Sequence, residues 1–283
     1  MNRRQVLLPI YRALRPVVDR LRLNSLVRPV WALLWRGRDR RLIRATQNGR
    51  VWWLAPDVAL GGETYEAETI AWLRSVLKPG MTAVDVGANV GQISLEMAQL
   101  VGPTGRVIAI EPSPGNARFL RAHVAANGFN GRVIVVEAAC SSGDGGELVL
   151  EVASGDLDSI QNGPQLRSLG LQRNPLDIGR PRTEVRVLTR SLDSLCDEFG
   201  VSVDVLKVDV EGAEVEVFRS AKACLSRFHP RIIFGFHPFA FRNPAAASRD
   251  LKNLFAEAGL FVENDAGAES WTLKEYTVSP WSK

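Results

Sequence analysis

Cysteine, histidine and long apolar runs are scarce in this chain. Its 283 residues include three cysteines and three histidines. Cys140, Cys196 and Cys224 are odd in number and widely spaced. Neither a disulfide framework nor a metal-binding spacing is visible, which points to a reducing compartment and a cytoplasmic protein. No run approaches the roughly 18 apolar residues of a membrane-spanning helix. The dinucleotide fingerprint G-x-G-x-x-G is missing, and no Gly-Lys-Ser/Thr opens a helix as a phosphate-cradling loop requires. What the chain does have is a 46% hydrophobic content, ample for one core, so a single α/β domain with appendages is expected.

The net charge of +4 conceals an uneven distribution. Residues 1–50 hold 13 Arg, no Lys and two acids, Asp19 and Asp39; the rest carries 22 basic and 29 acidic side chains. We read residues 1–50 as a basic helical arm and residues 51–283 as the domain. In the arm, Leu21, Leu23, Leu26, Val27, Val30, Leu33 and Leu34 recur at roughly helical spacing. Two readings follow: a peripheral contact with an anionic membrane, at the inner face, or helices packed on the domain or on a second subunit. The arm has no nucleic-acid-binding motif, and no nucleic-acid partner is expected. Arg3-Arg4 before a short apolar run is not followed by a small-residue cleavage site, so a signal peptide is not expected.

The chain is organised around Val84-Asp85-Val86-Gly87-Ala88-Asn89-Val90-Gly91-Gln92. The spacing predicts a buried parallel strand ending on an acid, a glycine turn, and a helix from Gln92 to Leu100. In open α/β sheets that junction forms the cofactor crevice. An acidic strand end beside small residues suits a cationic, amine-bearing ligand better than a pyrophosphate, and S-adenosyl-L-methionine fits. Arg106–Ile110 reads as the next strand, with Glu111-Pro112 at its end. Glu111 stands where an acid can accept hydrogen bonds from ribose hydroxyls.

These motifs, with Asn116 and then Leu206-Lys207-Val208-Asp209-Val210-Glu211-Gly212-Ala213-Glu214, resemble the FkbM family of S-adenosylmethionine-dependent methyltransferases, from about Tyr65 to His237. The resemblance implies a Rossmann-like class I methyltransferase fold, a mostly parallel seven-stranded sheet with helices on both faces. It implies a hydroxyl acceptor on a glycan, glycolipid or secondary metabolite. It places Asp85, Gly87, Ala88, Asn89, Gly91, Glu111, Asn116 and Ala139 against the cofactor, Asn116 either there or capping its helix. It also implies that the helix beginning at Tyr65-Glu66 borders the site. For the chemistry we take Asp209, Glu211 and His237, with Glu214 either in the site or structural. Crowded carboxylates raise one another's pKa, as a general base needs, and can also hold Mg²⁺; a metal ion is therefore weighed but not assigned. The family commonly has an acid two residues before this histidine, where this chain has Gly235.

Two further readings stay open on sequence: a non-catalytic, membrane-associated module on a methyltransferase scaffold, and a nicotinamide-dependent oxidoreductase, which the missing fingerprint disfavours. Elsewhere, strands are expected around Leu42–Trp53 with a turn at Asn48-Gly49, a helix capped by Thr64, strands at 132–137, 147–152, 183–188, 204–209 and 231–237, and a closing pair at 260–262 and 271–273. Residues 153–183, rich in Gly and Pro, read as a lid on the acceptor side. The oligomeric state is not legible.

Overall fold

The computed structural model describes residues 42–59, 62–153, 165–166, 182–265, 271–272 and 274–281. The chain falls into two compact units, residues 1–41 and 42–283. The basic arm to residue 41 and nearly all of the expected lid lie outside the described residues. Among the described residues, no helix is long and apolar enough to cross a membrane.

The described chain opens with a hairpin, β1 (Ile43–Gln47) and β2 (Arg50–Leu54). Asn48 and Gly49 turn it with φ of 50° and 78°, the left-handed pair that a two-residue hairpin turn demands. The compositional boundary at residue 50 falls inside this hairpin. Ala45, Trp52 and Leu54 are buried in the main core. Next come α1 (Pro56–Ala59), α2 (Ala67–Val76), β3 (Thr82–Val86), α3 (Gln92–Leu100), β4 (Arg106–Ile110), α4 (Pro114–Ala126), β5 (Val133–Val136) and β6 (Ala139–Cys140). They are followed by β7 (Glu147–Ala153), β8 (Gln165–Leu166), β9 (Arg182–Arg190), α5 (Leu192–Phe199), β10 (Val205–Val208), α6 (Glu214–Arg219) and α7 (Lys222–Phe228). The chain closes with β11 (Arg231–Phe236), α8 (Pro244–Glu257), β12 (Leu260–Val262) and β13 (Lys274–Pro280).

The central sheet has seven strands in the order β12-β13-β11-β10-β3-β4-β5. The run β11-β10-β3-β4-β5 is parallel, and β13 lies antiparallel between β11 and β12. This is the expected class I methyltransferase architecture. Alternation along the strands divides the core. Val84, Val86, Ile108, Ile110, Leu206, Val208, Ile232 and Phe234 pack with α5 to α8. Ala83, Val107, Ala109 and Val205 face the other way, towards the hairpin, α2, α3 and α4. The strands β6-β9-β7-β8 form a separate four-stranded sheet, whose β7–β9 ladder spans the base of the expected lid.

Two elements differ from expectation. The last strand is Lys274–Pro280 rather than 271–273. Trp271 is a buried plug stacked on Tyr276 at 4.7 Å, while Tyr276 and Val278 supply the alternation of the strand itself. Helix α2 is preceded by Glu66 in a left-handed conformation, φ 41°, without a side-chain cap, so Thr64 is not its cap. Local chemistry otherwise decides the ends. Ser191 accepts from Ser194 N to cap α5, which stops at Gly200 with φ 59°. Asn243 accepts from Ala246 N ahead of Pro244 to open α8.

Candidate functional site

A cavity of about 270 Å³ opens at the carboxyl ends of β3, β4 and β10, where the strand order reverses and ligands settle in such sheets. Of the residues expected to meet a cofactor, Gly87, Ala88, Asn89, Glu111 and Ala139 line it, together with Ala138, Cys140 and Leu150.

Asp85, Gly91 and Asn116 do not line the cavity, and each has a reason. Asp85 shares the side of the sheet with Ala83 and is fully buried. Its register partner on β10 is Lys207, whose ammonium lies 3.4 Å from Asp85 Oδ1 and 3.8 Å from Asp209 Oδ2. Ser94 Oγ donates to Asp85 Oδ2 at 2.6 Å. The acid that ends β3 is therefore matched by a lysine of this chain rather than left for a ligand. Burial alone would depress the Lys207 ammonium; Asp85, Asp209 and Glu66 outweigh it and push the group above its ordinary range. Gly91 serves packing, since a Cβ there would lie 2.3 Å from Leu120 Cδ1 of α4. Asn116 is fully buried with Nδ2 3.5 Å from Glu111 Oε1, so it stands behind Glu111.

Glu111 is the most constrained acid of the cofactor side. Its Oε2 accepts from Asn89 N at 2.8 Å and its Oε1 from Ser113 N at 2.8 Å. Burial pushes its pKa up to about 7, against the lowering effect of these hydrogen bonds. Two cavity oxygens are buried without any partner, Asn89 Oδ1 and Glu66 Oε2. Unsatisfied acceptors beside a carboxylate suit a ligand rich in O–H and N–H donors, so the residues fit the hydroxyls and the amine of S-adenosyl-L-methionine.

The other end of the cavity carries the expected chemistry. Asp209 and Glu211 line it, on the loop between β10 and α6, where Glu211 adopts φ 53° and Gly212 φ 112°. His237, just past β11, reaches both: its Nε2 is 3.7 Å from Asp209 Oδ1 and 3.7 Å from Glu211 Oε2. Its Nδ1 meets Glu214 Oε1 at 2.7 Å. Glu214 is fully buried and also accepts from Gly212 N at 2.9 Å; it orients the histidine and the loop from behind. Burial works to lower the His237 pKa. The Glu214 hydrogen bond, with the charges of Glu214, Glu211 and Asp209, reverses this and raises it to about 9. The three carboxylates thus favour the imidazolium form of His237 over the neutral ring. Burial raises the Glu211 carboxyl, opposed by His237 and helped by Asp209 and Glu214.

Gly235 leaves room here, since a Cβ on it would lie 3.2 Å from both Asp209 Oδ1 and His237 Cε1. An acid nevertheless stands beside it. Glu275 is the direct partner of Gly235 across β11 and β13, accepts from Thr69 Oγ1, and is raised by burial with Asp209 adding to the rise. Sequence reading missed Glu275 and Lys207 as site residues. A lysine inside an otherwise apolar strand was the available signal for Lys207, because a buried ammonium needs carboxylate partners. Among the described residues, no group of three His, Cys, Asp or Glu side chains is arranged to hold a metal ion. Cys140 packs against Ser220 Oγ at 3.3 Å, and burial pushes its thiol up to about 12, which fits packing rather than nucleophilic work.

A family model of the methyltransferase FkbM domain matches residues 85–263. The 2-O-methyltransferase NoeI of Sinorhizobium fredii is 28% identical over 153 residues, 53% of this chain and 61% of that protein. The ribosomal RNA large subunit methyltransferase E of Nitrosomonas eutropha is 31% identical over 111 residues, 38% of this chain and 52% of the other. The protein-L-isoaspartate O-methyltransferase of Aeropyrum pernix is 41% identical over 66 residues, 23% and 25% of the two chains. The chain thus spans less than two thirds of the length of each of these curated relatives.

Proposed function

The chain belongs to the methyltransferase FkbM domain family, and from that membership we propose that it methylates a hydroxyl of a glycan, glycolipid or secondary metabolite with S-adenosyl-L-methionine as donor. One observation carries the hydroxyl: the Asp209 and Glu211 carboxylates, which line the cavity, flank the His237 Nε2 at 3.7 Å each. The Sinorhizobium fredii relative is a 2-O-methyltransferase, which supports an oxygen acceptor.

When bound, the cofactor supplies a methyl group on a sulfonium with its leaving group built in. The protein must hold the acceptor and receive its proton. A hydroxyl between Asp209 and Glu211 donates its O–H to a carboxylate, which takes the proton as the oxygen becomes a nucleophile. Glu211 suits this, because its carboxyl is held above its ordinary value by burial. The cationic His237 keeps the two carboxylates together against their repulsion. On the donor side, Glu111 would hold the ribose hydroxyls and the small residues Ala138 and Ala139 would border the base.

Parallel calorimetric titrations with S-adenosyl-L-methionine, S-adenosylhomocysteine and NAD test the donor. The first two should bind and NAD should not; binding of NAD alone would overturn the reading. Radiolabelled methyl transfer to a panel of hydroxylated glycans, against matched deoxy glycans, tests the acceptor. Label on the deoxy compounds as well would remove the hydroxyl. Glu111→Ala should weaken S-adenosylhomocysteine binding by about 1.5–3 kcal/mol, the size of charge-assisted hydrogen bonds. Unchanged affinity in that titration would take Glu111 out of the ribose site.

A further inference from the structure

Glu66 is placed with unusual care for a residue with no partner at one of its oxygens. It precedes α2 in a left-handed conformation, φ 41°, which a side chain with a Cβ adopts at a cost. The segment is pinned from the hairpin turn. Asn48 Nδ2 donates to Tyr65 O at 2.9 Å, and Tyr65 N donates back to Asn48 Oδ1 at 3.1 Å. The Tyr65 and Glu66 side chains line the cavity side by side. The pinned backbone holds the Glu66 carboxylate at the cavity wall, where Oε2 is buried and accepts nothing. Buried acceptors of this kind are rare in folded proteins and call for an occupant.

The surrounding charge says what kind. Lys207, Asp209 and Asp85 act on Glu66 from β10, from the loop after it, and from β3. One ammonium thus stands among three carboxylates, and Lys207 is already held between Asp85 and Asp209. The end of the cavity at Glu66 carries an excess of negative charge, three carboxylates to one ammonium. Glu111 and the Ala138–Ala139 wall belong to the end beyond β4.

We propose that Glu66 binds the α-ammonium group of the aminoacyl arm of the cofactor, an assignment that rests on the donor reading above. An ammonium supplies three N–H donors for Glu66 Oε2 and its neighbours, whereas a sulfonium supplies none. The contact therefore belongs equally to S-adenosyl-L-methionine and to S-adenosylhomocysteine. It is absent from 5′-methylthioadenosine, which keeps the nucleoside and the sulfur but has no aminoacyl arm.

Calorimetric titration of the full chain with the three ligands, before and after Glu66→Gln, tests it. The expected result is a loss of roughly 10- to 100-fold in affinity for the two amine-bearing ligands, with methylthioadenosine binding unchanged. The unchanged ligand also certifies that the variant is folded. Equal losses for all three, or no loss for S-adenosylhomocysteine, overturn the assignment of Glu66 while leaving the donor reading standing. Failure of the wild-type protein to bind either amine-bearing ligand overturns the donor reading and this assignment with it. Glu66→Asp gives a second measure: the charge stays but the reach shortens, so it should fall between wild type and Glu66→Gln for the amine-bearing ligands alone.

Discussion

The Gly87→Ala variant is expected to lose several kcal/mol of stability and its binding of S-adenosylhomocysteine together. A Cβ at Gly87 would lie 1.9 Å from Asp209 O and 2.9 Å from Asp209 C. Both are backbone atoms, so no side-chain rotation relieves the clash. The residue also sits at φ +78°, a conformation that costs an L-residue about 1–2 kcal/mol. Overpacking a tight site adds about 1–3 kcal/mol more. The strain must be relieved by separating the ends of β3 and β10, which carry the cavity wall and Asp209, so affinity should fall with stability. Gly91→Ala is the control. Its φ is +94°, but its clash is with Leu120 Cδ1, the far end of a flexible side chain, and Gly91 does not line the cavity. It should cost stability while largely sparing affinity. Thermal unfolding with titration of both variants decides it; a Gly87→Ala protein with wild-type melting and affinity would show that the strand ends are not held at this spacing.

How much of this is legible in the sequence depends on what kind of physics each residue answers to. Strands β3, β4, β5, β10 and β11 are readable because each is a short apolar run bounded by polar residues, the pattern of a strand covered on both faces. Glu111 and Asp209 are readable because they directly follow such strands. Asp85 ends one too, yet it faces away. Period-two alternation puts it beside Ala83, and only the register with β10 reveals that Lys207 meets it. Pairing between strands so far apart in the chain is a tertiary fact that local pattern does not carry. Glu275 illustrates the same gap. It stands opposite Gly235 because β13 returns antiparallel beside β11, whereas the apolar pattern alone puts that strand too early, on the buried Trp271. Cys140, Cys196 and Cys224 are far apart in sequence, yet all three are buried in one core cluster, again through packing that local pattern does not carry.

The charge on His237 makes the second large prediction, and it separates two mechanisms. Its folded pKa of about 9 lies above the unfolded value of 6.5. A raised histidine contributes stability that is complete below pH 6.5 and is lost as pH rises through 9. The loss should reach about 3 kcal/mol, because a tenfold change in proton affinity between the unfolded and folded states is worth about 1.4 kcal/mol. Glu111, raised from 4.5 to about 7, has the same sign and is only half titrated at pH 7, so the slope of urea-unfolding stability between pH 8 and 9 is the one that reports the histidine. Glu214→Gln keeps a hydrogen-bond acceptor for Nδ1 but removes the charge, and should flatten that slope and bring the His237 Cε1–H titration, followed by NMR, back towards 6.5. A wild-type titration already near 6.5 would remove the imidazolium from the site. The consequence for catalysis follows. A protein that uses His237 as its base must gain rate through pH 9, as the imidazolium loses its proton. One that uses the Asp209 and Glu211 carboxylates, held together by that cation, must instead lose rate over the same interval, because deprotonating His237 leaves two neighbouring negative charges without the group that reconciles them.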